Sequence, residues 1–199
     1  MPTKKPAAKP AKSTAVANVY QLKITLSDFR PPIWRRVLAP GHYTLGDLHW
    51  VIQLAMGWTN SHLHHFKVGE TYYSLPLPGT DWEGSGEEDA RRTRLDQIAP
   101  SAKMKFLYEY DFGDSWEHEI LVEKILPPDP ALKRPVCLKG KGACPPEDVG
   151  GVWGYAEFLR AIRNPKHPEH DSYLEWIGDE FDPKAFDVDE VNAGFRRWR

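Results

Sequence analysis

The segment YDFGDSWEHEI, residues 110–120, sets Asp111, Asp114, Glu117, His118 and Glu119 within a few positions of one another. Carboxylates and an imidazole at that density could move protons or hold a metal ion. SHLHHF, residues 61–66, supplies further donors. On a strand, His62 and His64 fall on the same side as Phe66, so both imidazoles could converge with His118 on a divalent ion such as zinc. Asp111, Asp114, or Glu147 and Asp148 of CPPED would then complete the ligand set. Cys137 and Cys144 are weaker metal candidates, because their separation is longer than the two-to-four-residue spacing of zinc knuckles. Two small buried thiols are the plainer reading. Glu147 and Asp148 could cap backbone amides as readily as do acid–base work. Gly150 and Gly151 lack the lysine of a phosphate-binding loop. Apart from that metal, no cofactor is expected.

A hairpin competes with the catalytic reading of residues 110–120. If MKFLYEY and SWEHEILVE pair around Phe112, Gly113 and Asp114, then Tyr110 faces Trp116, Tyr108 faces His118, Phe106 faces Ile120 and Met104 faces Val122. A slip of one residue would exchange the faces. This register sends Glu109, Asp111, Glu117, Glu119 and Glu123 to the opposite, solvated side. Asp114 is expected to take a left-handed turn conformation. His118 points inward among aromatics, which makes it a core histidine, hydrogen-bonded to a neighbour. Arg30, Arg35 and Arg36 are expected to neutralise the acidic face as planar guanidinium–carboxylate pairs.

The elements that position these residues can be read from period and punctuation. Tyr20, Leu22, Ile24 and Leu26 alternate with polar residues as a half-buried strand does. Pro31 and Pro32 break the ladder, and IWRRVL forms the second strand. In TLGDLHWVIQLAMGW, Thr44 and Asp47 resemble a capping box, Leu48, Val51, Ile52 and Ala55 form one helical stripe, and Gly57 closes the helix. HLHHFKV and TYYSL read as a strand pair turning at Gly69–Glu70. Residues 76–92 read as a polar loop, and the chain is again loop-rich from Pro127 through KGKGACPPEDVGG. Helices follow in YAEFLRAIR, HDSYLEWIG and PKAFDVDEVNAGFRRW, the last with Pro183 in its first turn. The expected fold is α+β: a strand–strand–helix–strand sheet of β-grasp-like order, antiparallel or mixed, with C-terminal helices.

A chain of 199 residues at 41% hydrophobic composition can bury one substantial core. The expected organisation is a disordered Lys/Pro/Ala tail over residues 1–17 and one domain over 18–199. Four lysines lie in that tail, so the body is more acidic than the net charge of −2 shows, and it would repel phosphate backbones. The tail offers nucleic acid only a weak, salt-sensitive contact. There is no apolar run long enough to span a membrane and no secretory signal, and two cysteines make no disulfide framework. A cytoplasmic protein with no membrane partner is expected.

RPPIWRRV, LHWVIQLAMGW with HLHHF, YEYDFGDSWEHEI, ACPPEDVGGVWGYAEFL and FDPKAFDVDEVN occur in an order that resembles the plasmid pRiA4b ORF-3-like family. The resemblance spans nearly the whole chain from Tyr20. It implies an α+β domain often encoded on plasmids or beside mobile elements, with no assigned activity or catalytic residues. Some relatives carry a transposon-resolvase label, but the chemistry here opposes recombination. Ser13 and Ser27 sit in the tail and at a strand end, and no basic recognition helix is present. Two readings remain. One is a binding or accessory module for a protein or nucleic-acid partner, with a groove built from Arg30, Trp34, Arg35, Trp58, Tyr110, Trp116 and Trp153. The alternative is a metal-dependent hydrolase or nuclease using the His/Asp cluster.

Overall fold

The computed structural model describes residues 17–76, 86–178 and 180–198. Strands β1 (Val19–Leu26) and β2 (Trp34–Pro40) form the first hairpin, followed by helix α1 (Leu45–Met56). Next come β3 (His64–Val68), β4 (Thr71–Ser74), β5 (Glu88–Asp89), the short α2 (Leu95–Ile98), β6 (Lys105–Tyr110), β7 (Trp116–Leu126) and β8 (Val136–Lys141). Helices α3 (Gly151–Arg163), α4 (His170–Ile177) and α5 (Val188–Arg197) close the chain. The strands make one mixed sheet in the order β5-β4-β3-β6-β7-β1-β2-β8, with β4 and β5 its parallel pair. The fold is therefore α+β, with the strands N-terminal and the longer helices C-terminal, apart from α1.

One face of the sheet makes the core. Leu22, Ile24, Val37, Phe66, Tyr108, Trp116, His118 and Ile120 are fully buried, while the residues between them are half-buried or exposed. This is the period-two alternation of strands covered on one side. Helix α1 lies on the buried face. Its start is the expected capping box, with the Thr44 hydroxyl accepting from Asp47 N and the Asp47 carboxylate accepting from Thr44 N, both at 3.0 Å. Gly57 ends it in the left-handed conformation with φ 112°. Thr44→Ala is expected to lower stability by about 1 kcal/mol, read from urea denaturation. An unchanged midpoint would show that Asp47 alone caps the helix.

The β6–β7 hairpin has the register expected from its apolar residues: Phe106 opposite Ile120, Tyr108 opposite His118 and Tyr110 opposite Trp116. Met104 O accepts from Val122 N at 2.9 Å, which extends the pairing. The turn differs in detail. Asp111 (φ 58°) and Ser115 (φ 54°) take the left-handed conformation rather than Asp114. The Asp111 carboxylate accepts from Gly113 N at 2.9 Å, so it builds its own turn and is buried there instead of facing water.

Other expectations need correcting. Part of the polar loop over 76–92 is strand β5, and the stretch read as loop beyond Pro127 contains β8, which pairs with β2. Pro183 lies in a turn before α5, whose N-cap is Asp187, accepting from Asp189 N at 2.7 Å and Glu190 N at 3.2 Å. Apart from Ala17, the tail over 1–17 lies outside the described residues. Along β8, the Asn192 side chain of α5 accepts from Cys137 N at 2.8 Å and donates to Cys137 O at 3.0 Å.

The three arginines part company because strand alternation sends neighbours to opposite faces. Arg36, on the open face, pairs with Glu123 through Nε at 2.6 Å and Nη2 at 2.7 Å, the neutralisation expected. Arg35 turns inward, is 2% exposed and meets no carboxylate among the described residues. Its Nε donates to Ala55 O at 2.7 Å and its Nη1 to Trp34 O and Lys141 O. It thus supplies the positive charge at the C-terminus of α1, whose last turn has no basic residue of its own. Arg30 is exposed.

Candidate functional site

Three loops meet at one end of β3, β6 and α3. The first, residues 57–63, links α1 to β3 and carries His62. The second is the 111–115 turn, and the third runs from Pro145 into the N-terminus of α3 and carries Glu147 and Asp148. Each is tied to its neighbours. Trp58 Nε1 donates to Pro145 O at 3.1 Å, and Glu147 Oε1 accepts from Thr59 N at 2.9 Å and from the Thr59 hydroxyl at 3.0 Å. The Tyr110 hydroxyl accepts from Ser61 N at 2.9 Å and donates to the Glu147 carboxylate at 3.2 Å. Burial, with the Glu147 charge beside it, pushes the Tyr110 hydroxyl up to about 12, so it stays a donor at neutral pH. The Asp114 carboxylate accepts from Gly150 N at 3.0 Å and joins the turn to α3.

These ties bring four of the expected site residues together. His62 Nε2 lies 3.0 Å from Asp148 Oδ1, 3.6 Å from Asp111 Oδ2 and 3.7 Å from Glu147 Oε2. The donor atoms of His62, Asp111 and Asp148 all lie within 4.8 Å of one another. His62 Nε2 is buried and makes no hydrogen bond of good geometry. Asp148, with φ 57°, reaches back from the surface in a left-handed conformation that Asp tolerates.

His64 and His118 are placed elsewhere. His62 precedes β3 instead of lying on it, so strand alternation does not tie its direction to that of His64. His64 stacks on His49, with ring centroids 3.5 Å apart and planes 4° apart. His118 is fully buried, edge-on to Trp58 at 5.2 Å and opposite Tyr108. Its Nδ1 donates to Trp116 O at 2.9 Å, which leaves Nε2 buried without a hydrogen-bond partner among the described residues. Cys137 and Cys144 are free thiols flanking Arg35, and burial raises both above the usual thiol range. The metal-capable group among the described residues contains neither cysteine, His64 nor His118.

The aromatic groove candidates divide between core and surface. Trp58, Tyr110 and Trp116 fill the core with ring centroids 5.0 to 5.9 Å apart, and Arg35 is buried beside α1. Trp34 lies on the open face, under Lys23 and Arg36 at 5.3 and 5.2 Å, and Trp153 stands 86% exposed on α3.

Sequence reasoning missed a buried network beneath the site. His49 Nε2 donates to Asn60 Oδ1 at 2.7 Å, because an amide oxygen can only accept. His49 Nδ1 therefore accepts, from the Tyr108 hydroxyl at 2.9 Å, and that hydroxyl accepts from Gln53 Nε2 at 3.0 Å. Gln53 Oε1 in turn accepts from Asn60 N at 2.9 Å. The network fixes the loop that presents His62. His49 and Gln53 lie four residues apart on α1, the only sequence signal available, and in isolation it reads as a polar helix face.

Comparison with known proteins gives a consistent picture. The profile of the plasmid pRiA4b ORF-3-like protein family matches residues 18–190. The uncharacterized protein y4hQ of Sinorhizobium fredii is 43% identical over 179 residues, covering 89% of this chain and 90% of that protein. The crystal structure of a protein of unknown function, MM3350 from Methanosarcina mazei Go1, is similar with a TM-score of 0.77 at 37% identity. That match covers 87% of this chain and 97% of the other. No helix among the described residues is long and apolar enough to cross a membrane.

Proposed function

Because the chain belongs to the plasmid pRiA4b ORF-3-like family, and the relatives above bear names that assign no activity, we propose a function from the site itself: a divalent-metal-dependent hydrolase. The observation that carries this reading is the mutual spacing of the His62, Asp111 and Asp148 donor atoms. Ligands at about 2.1 Å from one ion stand roughly 3 to 3.5 Å apart, and His62 Nε2 lies 3.0 and 3.6 Å from the two carboxylate oxygens. One imidazole and two carboxylates suit zinc or manganese and leave coordination positions for water and substrate. An ion held there would supply Lewis acidity and lower the pKa of a bound water. Glu147, fixed by Thr59 and Tyr110, is a positioning residue that holds the first and third loops in register.

Titration of untagged protein with Zn²⁺ and Mn²⁺ in a calorimeter tests the site. Asp148→Asn is the informative variant, because the side chain is 70% exposed and Asn tolerates the same backbone conformation. It is expected to weaken binding by at least about tenfold, as loss of a ligand does. His118→Leu is expected to leave affinity unchanged. Equal affinity in the wild type and Asp148→Asn would remove the site. Metal-dependent hydrolysis of bis(p-nitrophenyl) phosphate or p-nitrophenyl acetate tests the reaction. Tight binding without turnover on either would return the accessory-module reading to first place.

A further inference from the structure

A cavity lies between the C-terminus of α1 and α5, bordered also by Trp58 and Cys144. It holds about 510 Å³, a volume typical of small-molecule sites. Leu54, Met56, Phe186 and Val191 give it apolar walls, and Asp187, Glu190 and Arg197 line it from α5 and its cap. Arg35 lines it from the sheet.

Arg35 is the unusual member. A guanidinium that is 98% buried normally has a carboxylate partner, and here it has three carbonyls. Those bonds use Nε and Nη1, so both hydrogens on Nη2 are left without a protein acceptor among the described residues. The group is also held rigid, its central carbon 4.5 Å from the Phe186 ring centroid. An ideal Cβ on Gly140 would approach Arg35 Cδ to 2.9 Å, so the side chain packs directly against bare backbone. The charges around the cavity balance, with Arg35 and Arg197 against Asp187 and Glu190. A ligand carrying only one sign of charge would upset that balance, whereas one carrying both signs preserves it.

We propose that this cavity binds a zwitterionic α-amino acid with an apolar side chain. The ligand carboxylate accepts from Nη2 of Arg35, a buried guanidinium that meets no carboxylate among the described residues. The ammonium group faces Glu190 and Asp187. The apolar side chain lies against Leu54, Met56 and Val191. Carboxylate recognition by a preorganised guanidinium is the strong contact, because the arginine is already ordered before the ligand arrives.

Calorimetric titration of the full chain with L-leucine, N-acetyl-L-leucine and L-leucinamide tests the proposal. Leucine is expected to bind at least tenfold more tightly than either analogue, since each lacks one charge. Gly194→Phe is the blocking variant. A Cβ there would sit at an ordinary 3.8 Å from Leu54 Cδ2, and Gly194 lines the cavity, so an aromatic ring at this position is expected to occupy it. It is expected to abolish leucine binding while leaving the urea midpoint near that of the wild type. Glu190→Gln, on the exposed side of α5, is expected to weaken leucine binding several-fold and leave N-acetyl-leucine unaffected. Absence of leucine binding in the wild type would overturn the proposal, as would binding that survives Gly194→Phe. Either result would leave Arg35 as the structural cap of α1 alone. Zinc affinity measured on Gly194→Phe separates this cavity from the His62 centre, which the variant does not touch.

Discussion

Between pH 7 and pH 5 the protein is expected to lose about 6 kcal/mol of stability, a large share of the roughly 5–15 kcal/mol typical of a folded domain. Burial lowers His49 and His118 to about 4, and burial with the neighbouring His49 lowers His64 to about 3. In the unfolded chain each histidine titrates near 6.5. Above that value all three are neutral in both states, and their contribution is fully present. As the pH falls below it, the unfolded state takes up protons that the folded state refuses, so stability declines until the folded values are reached. At pH 5 the difference amounts to about 2 kcal/mol for each histidine. The carboxylates lowered by ion pairing act later. Glu123 beside Arg36 and Asp89 beside Arg91 lose their contribution only as the pH falls through the carboxylate range. The interval from pH 6.5 to 5 therefore isolates the histidines. Urea midpoints measured at half-unit steps should fall steeply across it. A flat profile from pH 7 to 5 would mean that these imidazoles are hydrated and titrate normally.

Gly151→Ala is expected to cost at least about 3 kcal/mol and to weaken metal binding in the same variant. Gly151 begins α3 with φ 66°, a conformation that costs an L-residue about 1 kcal/mol or more. The larger effect is steric. A Cβ on this residue would lie 2.3 Å from Asp114 O, an atom of backbone that cannot rotate away. The 111–115 turn must therefore lift off α3, which carries Asp111 away from His62 and breaks the Asp114–Gly150 bond. A loss of stability with metal affinity intact would show that the turn moves without Asp111. A variant within about 0.5 kcal/mol of the wild type would show that the contact between turn and helix is loose.

The hairpin register, the α1 caps and the helical C-terminal half were legible because each rests on local rules. Period-two burial fixes which of Phe106, Tyr108 and Tyr110 face Trp116, His118 and Ile120, and Thr44 with Asp47 announces a helix start. Strand β8 was not legible, because PVCLKGK has no alternation strong enough to stand out. It becomes a strand by adding to the edge that β2 offers. The candidate site was half legible. His62, Asp111, Glu147 and Asp148 could be named from side-chain chemistry, but their selection over His64 and His118 depends on His62 standing outside β3, one residue clear of its ladder. Arg35 was misread for a related reason. Its sequence neighbours suggested a carboxylate across the sheet, while its strand parity turned it toward a helix end that lies twenty residues further along the chain.

The pairing of Asn192 with Cys137 bears on how the molecule behaves in a crowd. An edge strand presents backbone donors and acceptors that can recruit a strand from another molecule and begin a growing intermolecular sheet. At Cys137 the amide of Asn192 occupies both the N–H and the C=O, as a neighbouring strand would. At the other border, β5 is two residues long, too short to template an added strand. The eight-stranded sheet thus ends at one side in a side-chain amide and at the other in a stub. At these two places the border of the sheet offers an incoming strand less than a long, bare edge would, without the need to bend the sheet into a barrel.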